Sequence, residues 1–202
     1  MKTTQHKAKR PRRVRRAAPD MRLQALAAAR RIIIESPSDA LTMRAVADAA
    51  GVTHPNLSHH FGSLAGLHAA VAEELVRELT ASLRALHIDV DSNKNDAAVV
   101  DRVFDMFDKE GLGKVLSWLV RSGETARLAP VSELLAEYLS ELAKDHPKAA
   151  AKTVARDSLI LSFAAYAESV VGPLLGSIYK ISASQRRKVF VDLLTALNRF
   201  DR

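Results

Sequence analysis

The stretch TMRAVADAAGVTHPNLSHHFGS, residues 42–63, contains two sets of helix-start signals in close succession. Thr42 and Thr53 are good N-cap residues, because a threonine side-chain oxygen can accept a hydrogen bond from a first-turn backbone N–H. Each threonine also has an apolar residue before it and another four residues after it, which is the spacing of a hydrophobic staple. These pairs are Leu41 with Val46, and Val52 with Leu57. The stretch therefore predicts two short helices, over 42–50 and 54–61.

The glycines and the proline of the same stretch fix where these helices start and stop. Gly51 suits a left-handed position after the first helix. Pro55 falls in the first turn of the second helix, where its missing N–H has no intrahelical partner to lose. Gly62 and Ser63 end that helix. Two short helices joined by a glycine-containing turn predict a helix-turn-helix.

The rest of the chain also has helical spacing, and no stretch of six residues alternates as a strand would. We therefore expect an all-α fold, with a three-helix head followed by a larger C-terminal helical bundle domain. Asp20 is the expected N-cap of the first helix, and Ser182 with Gln185 the capping box of the last. Besides the two short helices, the expected helices span 20–35, 64–86, 96–109, 112–123, 131–145, 148–179 and 183–200.

Composition shifts divide the chain into segments. We expect a disordered basic arm over 1–19, a helix-turn-helix domain over 20–66 with a connecting helix at about 64–86, and a helical domain over 87–202. The polar sequence DVDSNKND at 89–96 marks the boundary before the third part. Nine of the ten aromatic residues follow residue 100, so the two helical parts have different cores.

Positive charge is concentrated at the start of the chain. Eight cations precede the first acid, Asp20, and they exceed the whole formal net charge of +7, so the remainder is close to neutral. A cationic arm of this kind attracts polyanions, above all nucleic acid. A solubilising tail and an Arg-rich transit peptide are the alternatives, although the arm lacks the apolar periodicity of a targeting helix. The chain has no cysteine, which excludes disulfides and thiolate sites and fits a reducing compartment.

Residues 158–179 are long and apolar enough to raise the question of a membrane span. Glu168 lies in the middle of this segment, and Pro173, two glycines and four serines interrupt it. These interruptions favour a buried helix of a soluble protein, and we expect no membrane contact.

Residues 41–71, LTMRAVADAAGVTHPNLSHHFGSLAGLHAAV, closely resemble the DNA-binding segment of the TetR family of bacterial transcriptional regulators. The family pattern has a Thr-x-Arg-x-(Ile/Val)-Ala helix, then Ala-Gly-Val-Ser/Thr, then a recognition helix that ends in His-Phe and a connecting helix. The matching residues are Thr42, Arg44, Val46, Ala47, Ala50, Gly51, Val52, Thr53, Leu57, His60, Phe61, Ser63 and Leu67. The motif covers about a quarter of the chain, and the remainder matches in helix order and size.

The pattern within the second helix agrees with a DNA-reading role. With Val52, Leu57 and Phe61 inward, the opposite face carries small, polar and hydrogen-bonding side chains that can meet base edges in a major groove. We assign base edges to His54, Pro55 and His59, and phosphates to His60, Thr42 and Thr53. The resemblance adds Arg44 at a guanine edge. The full expected DNA surface also includes Asn56, Ser58 and the arm residues Arg12, Arg13, Arg15 and Arg16.

Two positions depart from the family pattern. Ser58 stands where relatives usually have tyrosine, and Leu64 where they usually have lysine. Both usual residues commonly contact the DNA backbone in relatives, so this chain lacks an aromatic hydroxyl and a cation there. We expect the basic arm, in an adjacent minor groove, to supply part of the missing phosphate attraction.

The resemblance also implies a C-terminal region that binds a small molecule. Bulky side chains with few charges suggest an unidentified apolar or amphipathic effector. The candidate lining residues are Phe104, Phe107, Trp118, Tyr138, Phe163, Tyr166 and Glu168, each of which is individually as well explained by ordinary core packing or, for Glu168, by an arginine partner. The last two helices are the expected homodimer seam, with Ala164, Ala165, Ala167 and Gly172 permitting close packing.

The sequence therefore predicts a cytoplasmic, nucleoid-associated bacterial repressor that an effector releases from a pseudo-palindromic DNA operator. The connecting helix would carry the change. An effector-independent DNA-binding or architectural protein with a filled C-terminal core is the alternative. We expect no metal or cofactor, because the histidines lack the i,i+4 spacing of a helical zinc site. We expect no enzyme, because no nucleophile elbow, phosphate loop or His-Glu-x-x-His occurs.

Overall fold

The computed structural model describes residues 18–36, 40–86, 95–144 and 148–200, and all the regular structure in these ranges is helical. The α-helices run in the order α1 Ala18–Glu35, α2 Met43–Ala50, α3 His54–Phe61, α4 Leu64–Ala85, α5 Asp96–Asp108, α6 Leu112–Arg121, α7 Ala129–Lys144, α8 Lys148–Tyr179 and α9 Ala183–Phe200. The all-α architecture, with a short-helix head before a larger helical part, is confirmed.

The local start and stop signals form as the sequence predicts. Thr42 Oγ1 accepts from Ala45 N at 3.1 Å, and Thr53 Oγ1 accepts from Asn56 N at 3.4 Å. Gly51 has a φ of 64° and ends α2 in the left-handed conformation that favours glycine. The capping box of α9 is also present, since Ser182 N donates to Gln185 Oε1 at 2.7 Å.

Two boundaries differ from expectation. Asp20 is not an N-cap, because α1 already includes Ala18 and Pro19, and proline is well suited to a first turn. Helix α7 starts at Ala129 and not at residue 131, so Pro130 also lies in a first turn. It directly follows a 3₁₀ helix over Thr125–Leu128, which the sequence did not predict. The basic arm was expected over 1–19, but Ala18 and Pro19 belong to α1. Residues 1–17, residues 37–39 and residues 89–94 of the polar boundary lie outside the described residues.

Helix α4 holds the two parts of the chain together. It contacts α1 and α3 of the head, and α5, α6 and α7 of the C-terminal part. The buried apolar residues form one continuous cluster from Ala25 in α1 to Leu194 in α9. The head therefore shares its core with the domain that follows it, and movement of either part is constrained by the other.

Helix α8 is less buried than the sequence suggested. Residues Lys152–Tyr179 are long and apolar enough to cross a membrane by length and composition, and 28% of the most apolar window is buried. Exposed large apolar residues follow the outer side of α8 and continue on α9: Leu159, Phe163, Val170, Val171, Leu174, Leu175, Ile178, Tyr179, Val189 and Leu193. The expectation of a buried helix is thus wrong for this outer face, which we call the α8–α9 face.

Candidate nucleic-acid interface and ligand cavity

Helix α3 is held to the head by one edge. The side chain of Leu57 is fully buried and that of Phe61 is 7% exposed, as the pattern of inward residues predicts. Both belong to the continuous core, so the orientation of α3 is fixed by packing. The opposite side of the helix faces solvent and is available to a partner.

The expected base-reading residues lie together on this open side. His54, Pro55, Asn56, His59 and His60 are exposed and Ser58 is half-buried. His54 Nδ1 lies 3.4 Å from Ser58 Oγ, and the rings of His59 and His60 meet edge to face with centroids 5.5 Å apart. This surface offers imidazole, amide and hydroxyl groups that can donate to or accept from base edges and phosphates.

The threonines that flank this surface cap their helices and can also contact a phosphate. Thr42 and Thr53 accept hydrogen bonds from their own helices, which leaves each hydroxyl hydrogen free to donate to a phosphate oxygen. Arg44 on α2 is exposed. The four arm arginines assigned to DNA lie outside the described residues.

One cation of this region was missed by sequence reasoning. The guanidinium of Arg22 on α1 lies 5.3 Å from the centre of the Phe61 ring, at the end of the recognition helix. The stacking orients a positive charge beside α3. No spacing in the sequence indicates this contact, because Arg22 and Phe61 meet only when the helices of the head pack together.

A partly open cavity of about 430 Å³ lies between α4, α5, α6, α7 and α8, with one lining residue from α9. This volume is in the range of small-molecule sites. The wall is mostly aliphatic, and it consists of Val76, Leu79, Leu83, Asp96, Val99, Val103, Phe107, Leu112, Leu116, Val131, Leu135, Tyr138, Leu139, Leu142, Val154, Ala155, Asp157, Ser158, Leu159, Leu161, Ser162 and Leu194.

Only Phe107 and Tyr138 of the seven expected lining residues border this cavity. Phe104 is fully buried in the core beside Phe190, with ring centroids 5.4 Å apart. Trp118 stacks on His68 at 3.9 Å between centroids. These aromatic side chains fill space between helices and therefore do not border the open volume.

The other three expected residues also lie elsewhere. Phe163 is 68% exposed and belongs to the α8–α9 face. The Tyr166 hydroxyl lies 3.0 Å from Ser117 Oγ, which ties α8 to α6. Glu168 accepts from Arg186 Nε at 2.9 Å and from its Nη2 at 2.5 Å, so this carboxylate is neutralised within the protomer.

Among the described residues that line the cavity, two are carboxylates and none is basic. Burial raises the pKa of Asp96, a hydrogen bond from the Thr195 hydroxyl partly offsets this, and the nearby charge of Asp157 adds to the rise. Asp157 accepts from Arg156 Nε at 2.9 Å. Burial also raises the pKa of the Tyr138 phenol. The cavity therefore suits apolar groups and has no cation to pair with an anionic one.

His68, on α4, lies buried where the head meets α6. Its Nδ1–H donates to the Leu64 carbonyl at 2.9 Å, and its ring stacks on Trp118. Burial lowers the pKa of the His68 imidazole, and the backbone hydrogen bond only partly offsets this. The folded state thus favours the neutral ring over the charged one.

The His68 environment predicts a pH dependence of stability. Because the folded-state pKa of His68 lies below the unfolded value of about 6.5, its contribution to stability is complete above that unfolded value and is lost as the pH falls from there through the lower folded-state pKa. We expect a His68→Phe variant, which keeps a stacked ring, to lose less stability between pH 7.5 and 5.5 than the parent protein. Denaturant titrations followed by the fluorescence of Trp118, the single tryptophan, measure this. Equal losses would contradict the assignment.

Among the residues that the structure describes, no group of three or more His, Cys, Asp or Glu side chains could hold a metal ion. The close-set histidines of α3 point outward along one helix. Their arrangement fits a binding surface and not a coordination site.

Comparison with known proteins identifies the head. Residues 25–71 match the model of "Bacterial regulatory proteins, tetR family". The chain is 34% identical over 95 residues to the HTH-type transcriptional activator FasR of Mycolicibacterium smegmatis, a segment that is 46% of this chain and 43% of FasR. The aligned part thus spans less than half of that relative.

The fold of the whole described chain also has solved counterparts. The multidrug binding protein EbrR complexed with ethidium aligns with a TM-score of 0.64 at 16% identity, over 89% of this chain and 98% of EbrR. The TetR family repressor AlkX of Dietzia sp. aligns with a TM-score of 0.60 at 17% identity, over 89% and 94% of the two chains. At these identities the likeness concerns the fold. The sequence match shows that residues 25–71 of this chain form a head of the type found in the tetR family of bacterial regulatory proteins.

Proposed function

We propose that this protein is a homodimeric transcriptional repressor of the bacterial cytoplasm, bound at the nucleoid, and that an apolar or amphipathic small molecule releases it from a pseudo-palindromic operator. The observation that carries the proposal is the open polar side of α3, whose other edge is locked into the core by Leu57 and Phe61. A rigid helix with this surface can enter a major groove. The proposed DNA contacts are those given above for α2, α3 and the arm, together with Arg22.

The α8–α9 face supports the homodimer. Leu174 and Ile178 are each 60% exposed and lie one turn apart, so they form part of a continuous apolar stripe. The acid in the middle of α8, Glu168, is already paired with Arg186, so its charge does not oppose association. A second copy of α8 and α9 would complete a four-helix bundle. The seam differs from the sequence-based one, because Ala164 and Ala165 are buried within the protomer.

The cavity supports an effector-responsive regulator over an architectural protein, whose C-terminal core would be filled. Its aliphatic wall and two carboxylates favour an apolar ligand that is neutral or cationic. EbrR, a protein of similar fold, is described with bound ethidium, which is consistent with a small-molecule site in this architecture. We keep the division into a head over 20–66, a connecting helix and a ligand and dimer domain over 87–202 as part of the proposal.

The sign of regulation depends on where the operator lies relative to a promoter. FasR is named an activator and AlkX a repressor. We favour repression, because bound protein on an operator that overlaps a promoter blocks access to it. A reporter gene placed behind the selected operator distinguishes the two signs by whether its expression falls or rises.

Selection of bound sequences from random DNA tests the central claim. We expect enrichment of a two-fold symmetric site, since each protomer of a dimer presents one recognition helix. The His59→Ala variant should retain the half-site spacing and lose preference at one or two base positions, at a cost of about 1–3 kcal/mol per lost contact. Enrichment of no symmetric sequence would overturn the proposed function.

A further inference from the structure

We propose that a side-chain network joins α1 of the head to α5, to the α5–α6 turn and to α6 as well as to α4, and that this network transmits the state of the cavity to the recognition helix. It consists of Arg30, Glu78, Arg102, Glu110 and Lys114, which we call the α1 clamp. The inference rests on the proposed function, because it concerns how cavity occupancy would alter DNA binding. The sequence-based hypothesis assigns this transmission to the connecting helix alone. The clamp adds a named set of side chains that would share it.

Lys114 makes the direct hydrogen bonds between α6 and the end of α1. Its ammonium group, on α6, donates to the carbonyl oxygens of Ile33 at 2.8 Å and Ile34 at 3.2 Å, with Ser36 O at 3.4 Å. These are carbonyls of the last turn of α1, which lack helical partners and carry partial negative charge. One side chain of the C-terminal domain thus caps the helix on which the head is built.

An ion-pair network stands beside this cap. Arg30 of α1 donates to Glu78 of α4 at 2.7 Å and also pairs with Glu110 in the turn between α5 and α6. Arg102 of α5 binds the other oxygen of Glu110 at 2.5 Å and donates to Ser82 of α4 at 2.7 Å. Both ion pairs of Glu110 join groups that are at most 28% exposed, so solvent screens them less than typical surface pairs.

The backbone of the same turn touches α1 directly. A Cβ atom on Gly111 would lie 2.8 Å from Ile33 Cγ2, and the φ of 92° also requires glycine there. A residue with a Cβ at this position would therefore be strained and would force the Ile33 side chain to shift. Any shift of the start of α6 must be transmitted to α1 or must break these contacts, because close-packed surfaces do not deform gradually.

The clamp lies immediately behind the wall of the cavity. Leu112 and Leu116 line the cavity from α6, and Lys114 lies between them on the opposite side of the same helix. Glu78, Ser82 and Arg102 are each followed by a lining residue, namely Leu79, Leu83 and Val103. A ligand that moves the lining side of these helices therefore moves the clamp side with them.

A double-mutant cycle tests this without a known effector. Ser158→Phe, on α8, places a ring in the cavity from the wall opposite the clamp, and Lys114→Met removes the ammonium group at similar length. We expect Ser158→Phe to weaken binding of the selected operator at least tenfold in the parent protein and less than twofold in the Lys114→Met background. Ser140→Phe, which is exposed on α7, and Lys109→Met, in the α5–α6 turn, are matched controls. Neither should couple to the other mutations.

Equal losses in the two backgrounds would overturn the clamp and leave the proposed regulator intact. No loss in either background would overturn the clamp together with effector release, while symmetric operator binding would still support the proposed DNA-binding role. Amide hydrogen exchange over residues 33–36 gives a readout that does not depend on DNA or on gross folding. Ser158→Phe should accelerate exchange there and Ser140→Phe should not, and unchanged exchange in both would contradict the clamp.

Discussion

Replacing Leu174 and Ile178 together by aspartate is expected to make the protein monomeric and to reduce its operator affinity by about a hundredfold or more. The two side chains are exposed in the protomer and lie on the α8–α9 face. In a dimer they would be buried against their symmetry mates, and two unpaired carboxylates on each side would be costly to desolvate. A monomer would have to bind each half-site separately and would lose the gain of simultaneous engagement.

Sedimentation at micromolar concentration and titration of the selected operator measure the two effects. Val120→Asp is the matched control, because Val120 is 56% exposed but lies on α6, away from the α8–α9 face. It should leave both the mass and the affinity unchanged. A double variant that remains dimeric would refute the seam. A parent protein that is monomeric in buffer and floats with lipid vesicles would instead assign the α8–α9 face to a membrane.

The parts of the fold that sequence reasoning predicted well are those governed by local chemistry. The caps at Thr42 and Thr53 and the left-handed Gly51 depend on residues within one turn of each other. The inward edge of α3 follows from the spacing of Leu57 and Phe61 within eight residues. Such features depend little on distant parts of the chain, so local residues are sufficient to predict α2, α3 and the inward edge of α3.

The lining of the cavity could not be predicted in the same way. Sequence reasoning selected large aromatic side chains, but most of them lie elsewhere, and Trp118 for example fills space between helices by stacking on His68. The open volume lies where aliphatic side chains such as Leu79 and Leu116 leave space. A cavity forms where side chains from several helices leave space unfilled, and the periodicity within one helix does not predict it. The α1 clamp escaped prediction for the same reason, since its members lie up to 81 residues from the groups they contact.

The substitution Gly66→Ala is expected to be among the most damaging single changes in the head. Gly66 lies in the first turn of α4, and its Cβ would stand 2.0 Å from the carbonyl oxygen of Phe61, the last residue of the recognition helix. A backbone atom cannot rotate away as a side chain can, so α3 must shift relative to α4. The close approach of these two helices sets the orientation of α3, the proposed recognition helix.

We expect Gly66→Ala to lower the free energy of unfolding by about 3 kcal/mol and to abolish operator binding, because strain of this kind acts on the orientation of α3 as well as on stability. Denaturant titration and operator titration at a temperature where the variant stays folded separate the two. Gly123→Ala is the matched control, since its φ is 70° but no atom lies within 4 Å of the new Cβ. It should cost about 1–2 kcal/mol from backbone conformation alone and leave operator affinity unchanged. If Gly66→Ala behaved like this control, α3 would not depend on the glycine at the start of α4 for its position, because the added methyl group would then be accommodated without moving the recognition helix.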